Sequence, residues 1–152
     1  MVAAAGWLAA ACSSHPTTFS LTGASVDPQY WCPGGAKNAS YDLHATIDAR
    51  NGTSKAVTIN SVTAELTLTA VKGAWLEKIG DRYDAENVKF EPAGVAAGSS
   101  ATIKVTIPSA CTSGNYGSTL SSSGEYRVTM RVSTSIGVHA ITASNQHKIL
   151  AA

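Results

Sequence analysis

Charged and aromatic residues are both scarce in this sequence. Of its 152 residues, 14% are Asp, Glu, Lys or Arg and 7% are Phe, Trp or Tyr. Soluble domains usually carry about 25% charged residues. The net charge of +1 gives no electrostatic footprint for nucleic acid or for an anionic membrane surface. We therefore expect no nucleic-acid partner.

Motifs for catalysis are missing as well. The sequence contains no His-Glu-x-x-His, no Gly-x-Ser-x-Gly and no phosphate-binding loop. Its histidines are scattered, and the last two would lie about 26 Å apart on one strand at ~3.3 Å per residue, too far for one metal ion to bridge. The four are His15, His44, His139 and His147. The sequence predicts no catalytic residue and no cofactor, and an enzyme or metal carrier is the least favoured alternative.

One group of carboxylates is a weak candidate for a metal site. Asp81, Asp84 and Glu86 lie close together in the sequence and carry the oxygen ligands that Ca²⁺ prefers. Calcium takes six to eight oxygens, and the spacing differs from that of an EF-hand loop. A solvated loop is the favoured interpretation of these three residues.

Long apolar runs are absent, but a short one leads to a cysteine. Residues 2–11 carry no charge, and they are too few for a membrane span, which needs about 20 apolar residues. Small side chains precede Cys12, as signal peptidases require, and Ser, His, Pro and Thr follow it. This pattern indicates an export signal.

The stretch Leu8–Ser14 resembles the lipobox of bacterial lipoproteins, although Ala9 stands where that family prefers Leu and only Met1 precedes the run. The resemblance implies a signal peptide at 1–11, with truncation at its start left open, and an acylated Cys12 that begins a short linker at 12–16. Cys12 would then anchor the protein to a membrane surface of the bacterial cell envelope. Two alternatives stay open: Ala9-Ala10-Ala11 as an A-x-A site for plain secretion, or residues 1–11 as an N-terminal tail.

The remainder of the chain has the alternation of β-strands. The clearest case is 41–50, where apolar and polar residues alternate at every position. Seven strands are predicted, at 17–26, 41–50, 56–71, 87–91, 99–107, 125–134 and 138–149. Bulges are expected at Gly23 and near Asn60, a hairpin turn at Asn51-Gly52, and a single helical turn at 75–79. Pro108 is expected to end its strand.

The middle of the chain resembles bacterial Ig-like and fibronectin-III-like domains. Val88–Pro92 ends in proline, and Ala97–Ile107 follows with a Gly-Ser turn and a Thr/Val-rich strand. The resemblance implies that residues 17–150 form an Ig-like antiparallel β-sandwich of about seven strands. Such domains host many functions, so the likeness concerns the fold.

Antiparallel succession of these strands places the connections 27–40, 72–85 and 108–124 at one end of the sandwich. Cys32 and Cys111 lie in the first and third of them. A disulfide needs Cα atoms within about 7 Å, and export permits oxidation. With Cys12 acylated, the odd cysteine count is also explained. We therefore expect a Cys32–Cys111 disulfide.

The same connections carry the candidate binding residues, which are aromatic: Tyr30, Trp31, Trp75, Tyr83 and Tyr116. Aromatic rings fill pockets on protein partners or stack on sugars. Trp31 packed on the disulfide and Trp75 closing the core are the structural alternatives. The predicted function is a non-catalytic binding or scaffolding module with a protein partner, and a carbohydrate-binding module is the alternative.

Overall fold

The computed structural model describes residues 17–33, 39–111 and 122–151, and these fold as two β-sheets without helices. The predicted signal peptide at 1–11, Cys12, His15 and Tyr116 lie outside these ranges. The strands are β1 (Phe19–Val26), β2 (Gln29–Cys32), β3 (Ala39–Asn51), β4 (Val57–Lys72), β5 (Arg82–Ala85), β6 (Lys89–Glu91), β7 (Gly94–Val95), β8 (Ser100–Cys111), β9 (Ser122–Thr134), β10 (Gly137–Thr142) and β11 (His147–Ala151). Within these ranges, no helix has the length and apolar character needed to cross a membrane.

The strand order is that of an immunoglobulin-like sandwich. One sheet has the order β1-β3-β8-β6, and the other has β2-β11-β9-β4-β5, with β10 on β9 and β7 on β4. These orders match the ABED and CFG sheets of the immunoglobulin fold, with β1, β3, β8 and β6 as the first set and β4, β9 and β11 as the second. The predicted fold class is confirmed. The described residues contain eleven strand segments instead of about seven.

Alternating side chains of the two sheets form the core between them. Along β3, Leu43, Ala45, Ile47 and Ala49 are buried while their neighbours are exposed. Buried and more exposed residues also alternate along β8 and most of β9, and along β4 on either side of a bulge. Each fully buried Leu, Ile or Val contributes about 1.5–3 kcal/mol relative to an exposed one, so this alternation determines which face of each strand is inside.

The chain changes sheets after β1. Strand β1 pairs with β3 as far as Val26, and β2 then pairs in parallel with β11 in the other sheet. The side chain of Asn145 takes the place of a strand partner at the crossing: its Oδ1 accepts from Val26 N over 3.0 Å, and its Nδ2 donates to Val26 O over 2.7 Å. The connection 27–40 was predicted as a loop, and this was wrong for β2.

Pro108 does not end its strand. Strand β8 continues to Cys111, and Pro108 lies opposite Asp42 of β3. Its carbonyl faces the Tyr83 hydroxyl at 3.5 Å, on the side away from β3. A strand residue directs its N–H and C=O to the same side, so the missing N–H removes no bond to β3. Proline is tolerated at such an edge.

The helical turn expected at 75–79 is absent, and directly after it the backbone bonds to β4. Gly80 N donates to Leu68 O over 2.8 Å, and Leu68 N donates to Asp81 O over 3.0 Å. Gly80 has a φ of 98°, which glycine adopts without strain. The segment 73–81 is therefore a turn that leads into β5.

Asn51-Gly52 links the two sheets and is not a hairpin turn, because β3 and β4 belong to different sheets. The Asn51 side chain is fully buried. Its Nδ2 donates to the carbonyls of Lys55, Val95 and Ala96 over 2.8, 3.0 and 3.3 Å. Its Oδ1 accepts from the backbone N and the Oγ1 of Thr53. Asn51 thus bonds both to the connection that follows β3 and to the end of β7 with the residue that follows it.

The expected bulges are both present. The register shifts between Leu21 and Gly23 in β1 and between Ile59 and Ser61 in β4. The single strand predicted at 138–149 is interrupted: β10 and β11 pair with successive parts of β9. Between them, Ser144 N donates to Ala24 O over 2.9 Å, which diverts the chain toward β1.

Candidate functional site

A disulfide joins the two sheets at one end of the sandwich. Cys32 is the last residue of β2 and Cys111 the last of β8, and their Cα atoms are 6.0 Å apart. The predicted pair is confirmed. Ala39 of β3 lies opposite Cys111. In the other sheet, Ala151 of β11 lies between Cys32 of β2 and Ser122 of β9. We call this end of the sandwich the disulfide end. The prediction that Cys32 and Cys111 lie at the same end is therefore correct.

Trp75 closes the core at the disulfide end. Its indole lies over the backbone of Gly124, so close that a Cβ built on that glycine would be 2.5 Å from Trp75 Cε2. The indole Nε1 donates to the Tyr126 hydroxyl over 3.0 Å, and the ring is half-buried against the core. These contacts support the packing interpretation of Trp75.

The Tyr126 hydroxyl in turn donates a hydrogen bond to a carboxylate. Its hydroxyl, within a residue that is almost fully buried, donates to Glu77 Oε2 over 3.0 Å. The hydrogen bonds thus run in one direction, from the indole of Trp75 through Tyr126 to Glu77. Bonds to a charged acceptor are stronger than neutral ones, so this chain holds the segment 73–81 against β9.

Beside this chain of bonds is a small pocket of about 70 Å³ that opens to solvent. We call it the mouth pocket. It is lined by residues of both sheets and of the segment 73–81: Leu66, Glu77, Tyr83, Ser109, Ala110, Tyr126 and Ile149. The Tyr83 side chain, which is 47% exposed, reaches from β5 toward β8. Apolar walls with a few convergent polar groups are typical of a binding site.

The two aromatic residues of β2 differ in their surroundings. Trp31 is 56% exposed and lies opposite Leu150 of β11. Tyr30 is half-buried, and its ring stacks on that of Tyr41 with centroids 3.8 Å apart. Trp31 therefore remains a surface residue, whereas Tyr30 contributes to packing between the sheets.

The exposed aromatic residues do not form one platform. Trp31 is on β2 and Tyr83 is on β5, which are the opposite edges of the second sheet. At about 4.8 Å per strand, four strand spacings separate them by roughly 19 Å. The shared surface of Trp31, Trp75 and Tyr83 that was expected for sugar binding is thus not assembled.

A buried histidine, for which the sequence gave no signal, lies between the sheets. His147 is fully buried, and its Nδ1 lies 2.7 Å from Asp27 O. A carbonyl only accepts, so Nδ1 carries the proton and Nε2 accepts from the Tyr41 hydroxyl over 2.8 Å. Burial lowers the pKa of His147 from 6.5 and raises the pKa of Tyr41 to about 12.

The other described histidines have separate surroundings. His44 is exposed on β3, as predicted, and its Nδ1 lies 3.0 Å from Asp27 Oδ2. His139 on β10 meets the Phe19 ring edge-on, with centroids 5.0 Å apart. Among the described residues, no group of three or more His, Cys, Asp or Glu side chains could hold a metal ion.

The acidic residues of the segment 81–86 are engaged in local structure or exposed. Asp81 Oδ2 accepts from Lys78 N over 2.8 Å, and Asp84 lies opposite Glu65 in the β4–β5 pair. Glu86 is exposed in the turn after β5. The calcium interpretation of Asp81, Asp84 and Glu86 therefore gains no geometric support.

No protein-family model matches this chain, and no curated protein matches it. Two solved structures show a likeness over most of its length. One is AggA, the major subunit of aggregative adherence fimbriae type I from Escherichia coli, with 8% identity, 91% of this chain and 100% of that chain covered, and a TM-score of 0.36. The other is the PapD-like domain 7 of human CEP192, with 10% identity, 99% and 96% covered, and a TM-score of 0.29. At these TM-scores neither likeness bears on function.

Proposed function

We propose that this protein is an exported, non-catalytic binding module that engages a partner protein at its disulfide end. The observation that carries the proposal is the combination of a rigid base and exposed apolar side chains. The disulfide and Trp75 fix this end, and Leu76, Ile79 and Tyr83, which lie on β5 or on the segment that leads into it, are 66%, 67% and 47% exposed. Large apolar side chains left in water on a rigid base are characteristic of partner-binding surfaces.

Site-specific photo-crosslinking in the cells that produce the protein tests this proposal. A photoreactive amino acid placed at Leu76 should give a discrete crosslinked protein. Val138 supplies the matched control, because it is 66% exposed but lies on β10, at the other end of the sandwich. Equal crosslinking at both positions, or none at Leu76, would contradict the proposal.

Export with a lipid anchor on Cys12 is part of the proposal. Its support is the lipobox-like stretch and the Cys32–Cys111 disulfide, since disulfides persist in oxidising compartments. Intact-mass measurement of the native protein should show acyl chains on a mature chain that begins at Cys12. A Cys12→Ser variant should leave the membrane fraction. A native chain that begins at Cys12 or later without acyl groups would favour plain secretion instead.

Carbohydrate binding is the second candidate, and the exposed Trp31 favours it. One exposed indole face is enough to stack on a sugar ring. Retention on a panel of insoluble polysaccharides, lost in Trp31→Ala and kept in Val138→Ala, would support this candidate. Retention that is equal in both variants would exclude Trp31 as its site.

A further inference from the structure

We propose that Asn51-Gly52 is a deamidation site that the native fold protects, and that a chain deamidated there while unfolded cannot return to the native fold. The site lies where β3 ends. Strand β3 begins opposite Cys111 and runs away from it, so the site is remote from the disulfide end. The inference therefore does not depend on the proposed function.

The chemistry belongs to the asparagine–glycine pair itself. In an unfolded chain, the backbone nitrogen of Gly52 loses its proton and attacks Cγ of Asn51. The bond between Cγ and Nδ2 breaks, ammonia leaves with the proton, and a succinimide ring remains. Water then opens the ring at either carbonyl, which gives aspartate or isoaspartate. Glycine favours this attack because it has no side chain and its backbone reaches many conformations.

The fold holds the Asn51 amide in place. The side chain is fully buried, and its Nδ2 donates to the carbonyls of Lys55, Val95 and Ala96 over 2.8, 3.0 and 3.3 Å. Its Oδ1 accepts from the backbone N and the Oγ1 of Thr53 over 3.0 and 2.7 Å. Expulsion of ammonia from this position requires that these contacts break first.

The attacking nitrogen is engaged as well. Gly52 N donates to Thr18 O over 2.9 Å, and Asn51 N donates to Ser99 O over 2.8 Å. The backbone on both sides of the reacting carbon is thus bonded to neighbouring segments. Deamidation must wait until this part of the structure opens.

The products do not fit the native site. A carboxylate only accepts hydrogen bonds, so aspartate would turn a negative oxygen toward the three carbonyls that Nδ2 now contacts. A buried charge without a compensating partner is strongly destabilising. Isoaspartate also lengthens the main chain where Asn51 pairs with Phe19. Deamidation of an unfolded chain therefore makes its unfolding irreversible.

Peptide mass spectrometry tests the protection. The wild-type protein, with its disulfide intact, is kept at pH 8.5 in buffer and in parallel in guanidinium chloride that unfolds it. A reaction that passes through the unfolded chain is slowed in buffer by the unfolded fraction, which is about 10⁻³ or less for a stable domain. We expect deamidation of Asn51 to be at least tenfold slower in buffer. A smaller difference would overturn the protection.

Refolding tests the fate of the modified chain. Protein that has been partly deamidated in denaturant is diluted into buffer, and native molecules are separated from the rest by size-exclusion chromatography. The modified peptide should be at least tenfold enriched in the non-native fraction. A smaller enrichment would overturn the second part of the inference.

A pair of variants separates the effect of the buried carboxylate from that of the aged sample. Asn51→Asp reproduces one product directly, and Asn60→Asp is the matched control because Asn60 is exposed on β4. Circular dichroism and urea unfolding should show that Asn60→Asp resembles the wild type, whereas Asn51→Asp is unfolded or unfolds at a much lower urea concentration. Equal stability of the two variants would contradict the inference.

Discussion

The Tyr41 hydroxyl donates to Nε2 of His147 over 2.8 Å, and this bond connects the two sheets beside the crossing from β1 to β2. Tyr41 is on β3 of the first sheet, and His147 begins β11 of the second. The other ring nitrogen of His147 donates to Asp27 O in the crossing itself. One imidazole thus fastens three segments, and its burial favours the neutral form.

Stability is therefore expected to depend on the protonation of His147. Its pKa lies below 6.5 in the folded protein, so at acidic pH the unfolded chain binds more protons than the native one. The contribution is complete above about pH 6.5 and is lost as the pH falls toward the folded-state pKa. Urea unfolding between pH 7.5 and 5 should show this decline, and His147→Gln should show less of it. A parallel decline in both proteins would place the effect elsewhere.

Removing the donor of this bond should be costly. Tyr41→Phe removes the hydroxyl that donates to Nε2 of the fully buried His147 ring. A buried polar group left without its hydrogen bond costs about 1–3 kcal/mol. Chemical denaturation at pH 7.5 measures this loss. The matched control is Tyr83→Phe. The exposed Tyr83 hydroxyl makes a long contact with Pro108 O, and its removal should change the free energy of unfolding by less than about 0.5 kcal/mol. Equal losses would contradict the assignment.

A methyl group on Gly124 should displace Trp75. The added Cβ would lie 2.5 Å from the indole, and overpacking of this kind costs about 1–3 kcal/mol. Tryptophan fluorescence of Gly124→Ala should shift to the red as the ring becomes hydrated. Gly23→Ala is the control, because its Cβ would meet only Asp48 Oδ2 at 3.4 Å. In a Trp75→Ala background, Gly124→Ala should lose most of its effect.

Opening the disulfide should destabilise the domain strongly. Cys32 and Cys111 are 79 residues apart, and closure of a loop of that length is worth roughly 4 kcal/mol in the chain-entropy model. The double variant Cys32→Ala/Cys111→Ala should lose about this much in urea unfolding. Thiol labelling of the wild-type protein, denatured without reduction, should leave Cys32 and Cys111 unmodified. Labelling of both would contradict the pairing.

The parts of the fold that follow from local pattern were predictable from the sequence. Residues 41–50 alternate because β3 has one face in the core and one in water. The disulfide was predicted because the antiparallel succession of strands placed both cysteines at the same end. That placement does not depend on the exact bounds of each strand. The bulge at Gly23 was visible as a change of parity.

Contacts between distant residues were not predictable in this way. Strand β2 has only four residues, and its parallel partner β11 lies more than a hundred positions later in the chain. His147 and Asn51 carry polar side chains that are buried only because carbonyls of other segments surround them. Trp75 and Tyr83 were correctly placed near the disulfide end, but only their partners, Gly124 and Pro108, determine which ring is exposed.

The parallel pairing of β2 with β11 affects how the domain bears mechanical load. A pull that draws β2 toward its beginning and β11 toward its end acts along the strands, so the four residue pairs between them resist together instead of opening one after another. The disulfide gives this tension a covalent route from Cys32 directly to Cys111. The chain between the two cysteines is then spared the load.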